Sequence, residues 1–334
     1  MPGFPPRSKT ELGEFELIAR LCSDLRPGSR TILGPGDDCA ILRPIKRPIL
    51  LTIDSMVEGV HFRVPWFSPE ALGRKALTAN LSDIAACGGR PLACVVNFAI
   101  PRHIDSRFIQ RVNAGLRRAA EAAQVDIVGG NVTRADALAI TIALIGTSRD
   151  AILRRDAARA GDEIFVTGTV GDAAVGLQIL EGRLRVRGAS RRFLVDRFIN
   201  PTARLQAGER LASMRPTPAA IDISDGLWQD LGHILERSRV AAELDADAIP
   251  RSVAYRAAVG DDLELAMGGG EDYELLFCMR SGWTAARLTR RLGVPVHRIG
   301  RIVRGAGAIR IIGRRAGAIP RIGGFDQLRN RGPR

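Results

Sequence analysis

Lysine is nearly missing from this chain: Lys9, Lys46 and Lys75 are its only lysines, although Lys and Arg together number 49 among 334 residues. Cysteine is sparse and unpaired. Cys22, Cys39, Cys87, Cys94 and Cys278 are scattered, odd in number and without a Cys-x-x-Cys spacing, which argues against a disulfide framework and against a structural zinc site. Such usage suits a reducing compartment, so a cytoplasmic protein is expected. The four histidines (His61, His103, His233 and His297) are too dispersed to form a local metal motif. No apolar run approaches the roughly 20 residues that span a bilayer; the longest, Leu92 to Ile100, is strand-length and contains Asn97. The first residues, Met1 to Arg7, lack the apolar core of a secretion signal, so none is expected. The familiar phosphate motifs are also missing. There is no Gly-x-x-x-x-Gly-Lys-Ser/Thr loop, and Gly168-Thr169-Val170-Gly171-Asp172 only approximates a glycine loop. The His-Arg-Asp and Asp-Phe-Gly elements of protein kinases are absent.

The net charge of +13 is almost wholly arginine. A basic chain can bind nucleic acid, yet these arginines are spread, with short clusters at 183–192, at 285–315 and at the C-terminus. Aromatic residues make up only 5%, and no zinc-finger or RNP-type signature interleaves with the arginines. A solvated arginine-rich surface is therefore preferred to nucleic-acid binding, and attraction of phosphorylated substrates is compatible with it.

The length suits two domains. Residues 49–54 form an apolar run ending in an acid, as in a strand that delivers a side chain at its tip. Pro69 opens a helical pattern that Gly88 and Gly89 close. Further strands are expected at 92–100, 125–128 and 138–147, with a helix at 104–124 between them. After the polar, arginine-rich stretch near 149–162, a second series follows. Strands are expected near 163–167, 219–223, 240–244, 273–279 and 295–303, with helices near 171–181, 190–213, 226–238 and 282–292. The expected fold is α/β (α+β), with an N-terminal mixed-sheet domain at 1–150 and a C-terminal α/β domain at 151–334.

What stands out is a series of aspartates beside glycines or at strand ends. They occur in Gly36-Asp37-Asp38, Thr52-Ile53-Asp54, Asn80-Leu81-Ser82-Asp83, Asp222-Ile223-Ser224-Asp225-Gly226 and Gly268-Gly269-Gly270-Glu271-Asp272. A single Asp-Gly pair is ordinarily a turn. Asp54 and Asp222 instead adjoin apolar strands, where an unpaired charge is costly, and lysine is too rare to gather them. Magnesium, which takes oxygen ligands and bridges carboxylates to phosphates, is the economical cation.

These motifs, in this order, resemble the thiamine-monophosphate kinase family from about residue 11 to about residue 326. Glu58-Gly59-Val60-His61-Phe62, Lys75-Ala76, Val128-Gly129-Gly130-Asn131 and Gly270-Glu271-Asp272-Tyr273-Glu274-Leu275 complete the series. The Asp-Gly framework is shared with a wider superfamily that includes aminoimidazole ribonucleotide synthetase, selenophosphate synthetase and a hydrogenase maturation protein. The resemblance implies a magnesium-dependent transfer from ATP to thiamine monophosphate. It also implies two α/β domains, the first pairing with its copy in a homodimer. It makes Asp38, Thr52, Asp54, Asp83, Asn131, Asp222 and Asp225 the metal-binding set. Gly130, Asn131, Arg155 and Ser224 would meet ATP, and His61, Glu271 and Phe325 thiamine monophosphate. No residue is expected to act as a general base. Without the resemblance, His61 between Val60 and Phe62 reads as a core histidine, Glu271-Asp272 as an acidic turn and Arg155 as one arginine among many.

Overall fold

The computed structural model describes residues 12–26, 28–36 and 38–313. Twelve strands are formed among them. A two-stranded ladder pairs β1 (Thr31–Leu33) with β2 (Ile41–Leu42) antiparallel. A four-stranded sheet contains β3 (Ile49–Val57), β4 (Arg90–Ile100), β5 (Asp126–Arg134) and β6 (Ala139–Thr147) in the order β3-β6-β4-β5. A six-stranded sheet contains β7 (Asp162–Thr167), β8 (Ala219–Asp222), β9 (Ala241–Asp245), β10 (Leu275–Arg280), β11 (Val296–Val303) and β12 (Ile309–Ile312). Its order is β12-β9-β11-β7-β10-β8. Only β12 and β9 run parallel there; the other four pairings are antiparallel. The mixed α/β class is thus observed. By backbone proximity the chain separates into two compact units. One takes Met1–Ile45, Ile53–Leu77 and Leu92–Leu144; the other takes Lys46–Thr52, Thr78–Pro91 and Ile145–Arg334.

In the first unit, the helix Ser106–Ala123 begins with Asp105 as N-cap, its side chain accepting from Phe108 N at 2.7 Å. Its periodic face buries Ile109, Val112 and Leu116. It lies against the helix Pro69–Ala86 so closely that a Cβ on Gly73 would stand 1.9 Å from the Val112 carbonyl oxygen.

In the second unit, strand alternation sorts side chains into two apolar layers. Ile164, Val166, Ile221, Leu276 and Cys278 join the helices Asp172–Leu180, Gly188–Ile199 and Leu227–Ser238 on one face. Phe165, Ala220, Leu275, Phe277 and Met279 join the helices Leu205–Ala212 and Ala285–Leu292 on the other, with Ala85 and Ala86. Phe165 and Phe277 stack with centroids 5.5 Å apart. The single helix expected over 190–213 is two helices. Pro201, after the C-cap Asn200, cannot continue the backbone ladder and separates them.

Gly208 fixes the approach of this second layer, because a Cβ there would lie 2.1 Å from the Ala85 carbonyl oxygen. Alanine gains about 1 kcal/mol of helix propensity over glycine, but the overpacking costs about 1–3 kcal/mol. Gly208→Ala is therefore expected to lower the melting temperature, read by thermal denaturation followed by circular dichroism.

Candidate active site

Asp222 ends β8 and is almost wholly buried, at 3% exposure. Strand parity decides its direction. Ala219 and Ile221 point to one layer and Ala220 to the other, so Asp222 shares the face of Ala220. That layer receives the end of the helix Pro69–Ala86, and from it Ser82 donates its Oγ to Asp222 Oδ2 at 2.7 Å. The next residue, Asp83, accepts a short hydrogen bond from Thr52 Oγ1 on β3. Burial raises the pKa of both carboxyls, and the charge of Asp83 adds to the rise at Asp222. The two hydroxyls and the Arg155 guanidinium pull the other way. Arg155 opens a short 3-10 turn, and the preceding Arg154 bridges to Ala219 at the start of β8.

The loop leaving β8 passes through Gly226, whose φ of 122° suits glycine alone, into the helix Leu227–Ser238. Asp230 lies on the buried stripe of that helix with Leu227, Leu231 and Ile234. Its carboxylate turns back on the loop: Oδ2 accepts from Ser224 N and Asp225 N at 3.1 Å each and from Gly226 N at 3.0 Å. Burial, then the charges of Asp222 and Asp225, push its pKa up to about 8, against the pull of the backbone N–H groups. Asp225, Asp230 and His233 each offer a ligand atom within 4.8 Å of the others. The Asp230 oxygen that carries three N–H bonds is committed to the loop, however. Asp225, held by Gln229 Nε2 at 3.1 Å, is the member suited to a cation.

The loop is bonded in turn to the segment before β10. Glu271 N donates to Ser224 O at 2.8 Å, Tyr273 N to Ile223 O at 2.9 Å, and Ile223 N to Glu274 O at 2.8 Å. The second unit thus brings together Thr52, Asp83, Asp222, Ser224, Asp225, Arg155 and Glu271.

The other expected residues of the described chain fall in the first unit. Asp54 follows Thr52 by two residues on β3 and shares its side of the strand. Gly130 and Asn131 lie on β5, which pairs in parallel with β4, so that Asn131 faces Asn97 and its Nδ2 donates to Asn97 Oδ1 at 2.9 Å. A Cβ on Gly130 would stand 2.1 Å from the Val96 carbonyl oxygen, so only glycine fits there. His61 accepts from Val57 N through Nδ1 at 3.0 Å, which places the proton of the neutral ring on Nε2. It is half-buried, whereas Phe62 beside it takes the core position. Asp38 is exposed. Phe325 lies outside the described residues.

The donor set fits magnesium. Asp83, Asp222 and Asp225 bring carboxylate oxygens and Thr52 a hydroxyl, with Arg155 the cation whose field reaches all three acids. Hard oxygen donors carrying an excess of buried negative charge call for a hard divalent ion.

Comparison with known proteins identifies the family. Residues 36–148 match the model of the AIR synthase related protein N-terminal domain, and residues 159–312 that of the C-terminal domain. The thiamine-monophosphate kinase of Salmonella typhimurium is 38% identical over 304 residues, covering 87% of this chain and 90% of its own. The chain belongs to the thiamine-monophosphate kinase family. Among solved members, the kinase of Stenotrophomonas maltophilia is 37% identical with a TM-score of 0.77, covering 88% of this chain and 94% of that one. An AaThiL complexed with AMPPCP and TMP is 31% identical with a TM-score of 0.74, over 97% and 99% of the two chains.

Within this thiamine-monophosphate kinase family member, the hydrogen bonds of Ser82 to Asp222 and of Asp230 to the 224–226 loop add two side chains that the motifs alone do not single out. Ser82 lies within Asn80-Leu81-Ser82-Asp83, where the neighbouring acid carries the signal. Asp230 was detectable as an acid on the apolar stripe of its helix, at the spacing of Leu227, Leu231 and Ile234.

The raised acids give the metal-free protein a definite pH response. A carboxyl whose folded pKa lies above its unfolded value of about 3.9 keeps its proton longer in the folded state. Stability then falls as pH rises from about 4 to the folded pKa of Asp230, about 8. Scanning calorimetry in a chelator is expected to give a higher melting temperature at pH 6 than at pH 8, and added magnesium is expected to narrow that gap.

Proposed function

We propose that this chain is a magnesium-dependent thiamine-monophosphate kinase. It transfers the γ-phosphoryl group of ATP to the phosphate of thiamine monophosphate, giving thiamine diphosphate and ADP. The observation that carries this reading is the pair Asp83 and Asp222, packed side by side in sequence motifs of that family, each hydrogen-bonded by a hydroxyl and both within the field of Arg155. The relative complexed with AMPPCP and TMP supports ATP as donor and thiamine monophosphate as acceptor.

The acceptor's second phosphate pKa is about 6, so its oxygen is already anionic at neutral pH and no general base is required. The difficulty is to bring two polyanions together in line. Asp38, Thr52, Asp54, Asp83, Asn131, Asp222 and Asp225 are the residues that would hold magnesium, which when bound neutralises that repulsion. Thr52 and Ser82 orient the Asp83 and Asp222 carboxylates through their hydroxyls. Asp230 fixes the loop so that Ser224 and Asp225 keep their directions. Arg155 supplies the positive charge that lysine-poor composition leaves to arginine, and its planar fork suits phosphate oxygens. Gly130 and Asn131 would complete the ATP site, and His61, Glu271 and Phe325 the acceptor site.

We assign residues 1–150 to an N-terminal domain that binds ATP and magnesium and dimerises, and 151–334 to a C-terminal α/β domain. A homodimer is supported by β3, whose outward residues are apolar: Ile49 is 58% exposed, Leu51 73% and Ile53 65%. Large exposed apolar stripes mark interaction surfaces. No helix among the described residues is long and apolar enough to cross a membrane, and with five free, scattered cysteines we place the enzyme in the cytoplasm.

A coupled assay for ADP with thiamine monophosphate, with and without magnesium, tests the reading. Turnover should require both, and ADP formed only with some other phosphorylated small molecule would move the chain to a sister enzyme of the superfamily. Asp83→Ala and Asp54→Ala should each lower kcat on the order of a thousandfold or more while the far-ultraviolet spectrum is unchanged. Near-normal turnover in either would sink the metal assignment. Leu51→Lys should shift the protein from dimer to monomer in sedimentation velocity.

A further inference from the structure

The segment from Gly269 to Glu274, between the helix Glu264–Gly268 and β10, holds a backbone that its residues resist. Among the described residues, Gln124, Arg239, Glu271 and Tyr273 are the non-glycine residues with positive φ. Gln124 and Arg239 are helix C-caps, a routine place for that conformation. Glu271 (φ 70°) and Tyr273 (φ 52°) end no helix, and they flank one residue, Asp272.

Asp272 is buried and uses both carboxylate oxygens. Oδ2 accepts from Gly171 N at 2.6 Å and Oδ1 from Ala173 N at 3.2 Å, at the start of the helix Asp172–Leu180. The segment has no room to relax. A Cβ on Gly270 would stand 2.3 Å from the Ser224 carbonyl oxygen, and one on Gly269 2.3 Å from Ala174 Cβ. Its far end is tied by Glu274, which accepts from Thr167 Oγ1 at 2.6 Å, Arg204 Nε at 2.7 Å and Arg197 Nη2 at 3.0 Å. Its near side is bonded to the 222–226 loop through Glu271 N and Tyr273 N. Of residues 271–275, Glu271 alone is not buried.

Left-handed strain that no helix end requires gathers at working sites and persists only where the surroundings over-determine it. We infer that Asp272 is a positioning residue, which through Gly171 and Ala173 holds the left-handed turn that presents Glu271 beside Ser224 to a cationic group of the acceptor. The thiazolium ring of thiamine monophosphate carries such a charge, so this inference rests on the kinase reading. Asp272 touches no substrate; it acts through Glu271. Asparagine at 272 keeps the shape but sets an NH2 group against one of the two backbone N–H donors, which loosens the turn.

Steady-state kinetics of the full chain with ATP, magnesium and thiamine monophosphate test this. Asp272→Asn is expected to raise the KM for thiamine monophosphate by about tenfold and to leave the KM for ATP within about twofold. Glu271→Gln should give a similar split, and the double variant should be no worse than the worse single one, because both act through one contact. An unchanged acceptor KM, equal rises in both KM values, or additive effects overturn the inference. A merely structural role lowers the melting temperature and the active fraction, neither of which moves KM. Should Asp272→Asn not fold, hydrogen exchange on the wild-type chain decides. Thiamine monophosphate alone is expected to slow exchange at the amides of 171, 173 and 271 by about threefold, and no change there overturns the inference. A wild type silent with thiamine monophosphate removes the kinase reading and this inference together; an active wild type with an unmoved Asp272→Asn removes only the latter.

Discussion

The second unit depends on keeping negative charge where water is scarce. Asp222, Asp230 and Asp272 are buried, and Asp83 is half-buried beside Asp222. An ionised carboxylate in such a place is tolerable only with donors or cations around it. Each acid is met in its own way. Asp83 and Asp222 take hydroxyls from Thr52 and Ser82, Asp230 takes three backbone N–H groups, and Asp272 takes two at a helix N-terminus. Those donors lessen the cost of burial without removing it, since burial still raises all four pKa values. At Asp83 and Asp222 the remaining imbalance is what a divalent cation can satisfy.

The acids divide into two kinds by what they hold. Asp83, Asp222 and Asp225 have their carboxylates fixed by side chains and are suited to face a ligand. Asp230 and Asp272 hold backbone, and so shape the loops on which the first kind and Glu271 are carried. A loop bonded at each amide keeps its side chains in place before substrates arrive, which is the form of preorganisation that electrostatic catalysis uses. The glycines of these loops serve the same end: Gly226 adopts a φ that side chains avoid, and Gly270 lies within 2.3 Å, by its missing Cβ, of Ser224 O.

Much of this was legible in the chain's text, for identifiable reasons. The strands at 49–54, 92–100, 138–147 and 163–167 stood out as apolar runs, and each forms. The strand expected to stop at 128 continues to Arg134 because Gly129 and Gly130 sit in a parallel ladder with β4, where the missing side chain of Gly130 allows close approach to the Val96 carbonyl. The apolar spacing of 190–213 runs across Pro201 and so does not register the break between its two helices. The helices Val253–Val259 and Glu264–Gly268 and the strand β12 are too short to announce a period. The motifs pointed to Asp83, Asp222 and Asp225, because their neighbours match those of a family. They did not separate Asp230 and Asp272 from their surroundings, because the partners of both are backbone amides, which no residue letter records.

Strand β3 carries two opposed patterns on one backbone. Thr52 and Asp54 share one side, while Ile49, Leu51 and Ile53 share the other and lie open. Since side chains alternate with a period of two, inserting or deleting one residue upstream of Thr52 would exchange the sides wholesale. The exposed apolar residues would take the side of Thr52 and Asp54, and the hydroxyl and carboxylate would turn outward. Length at this point is therefore under tighter constraint than composition: conservative exchanges along either side are tolerable, but a frame change within the strand is not.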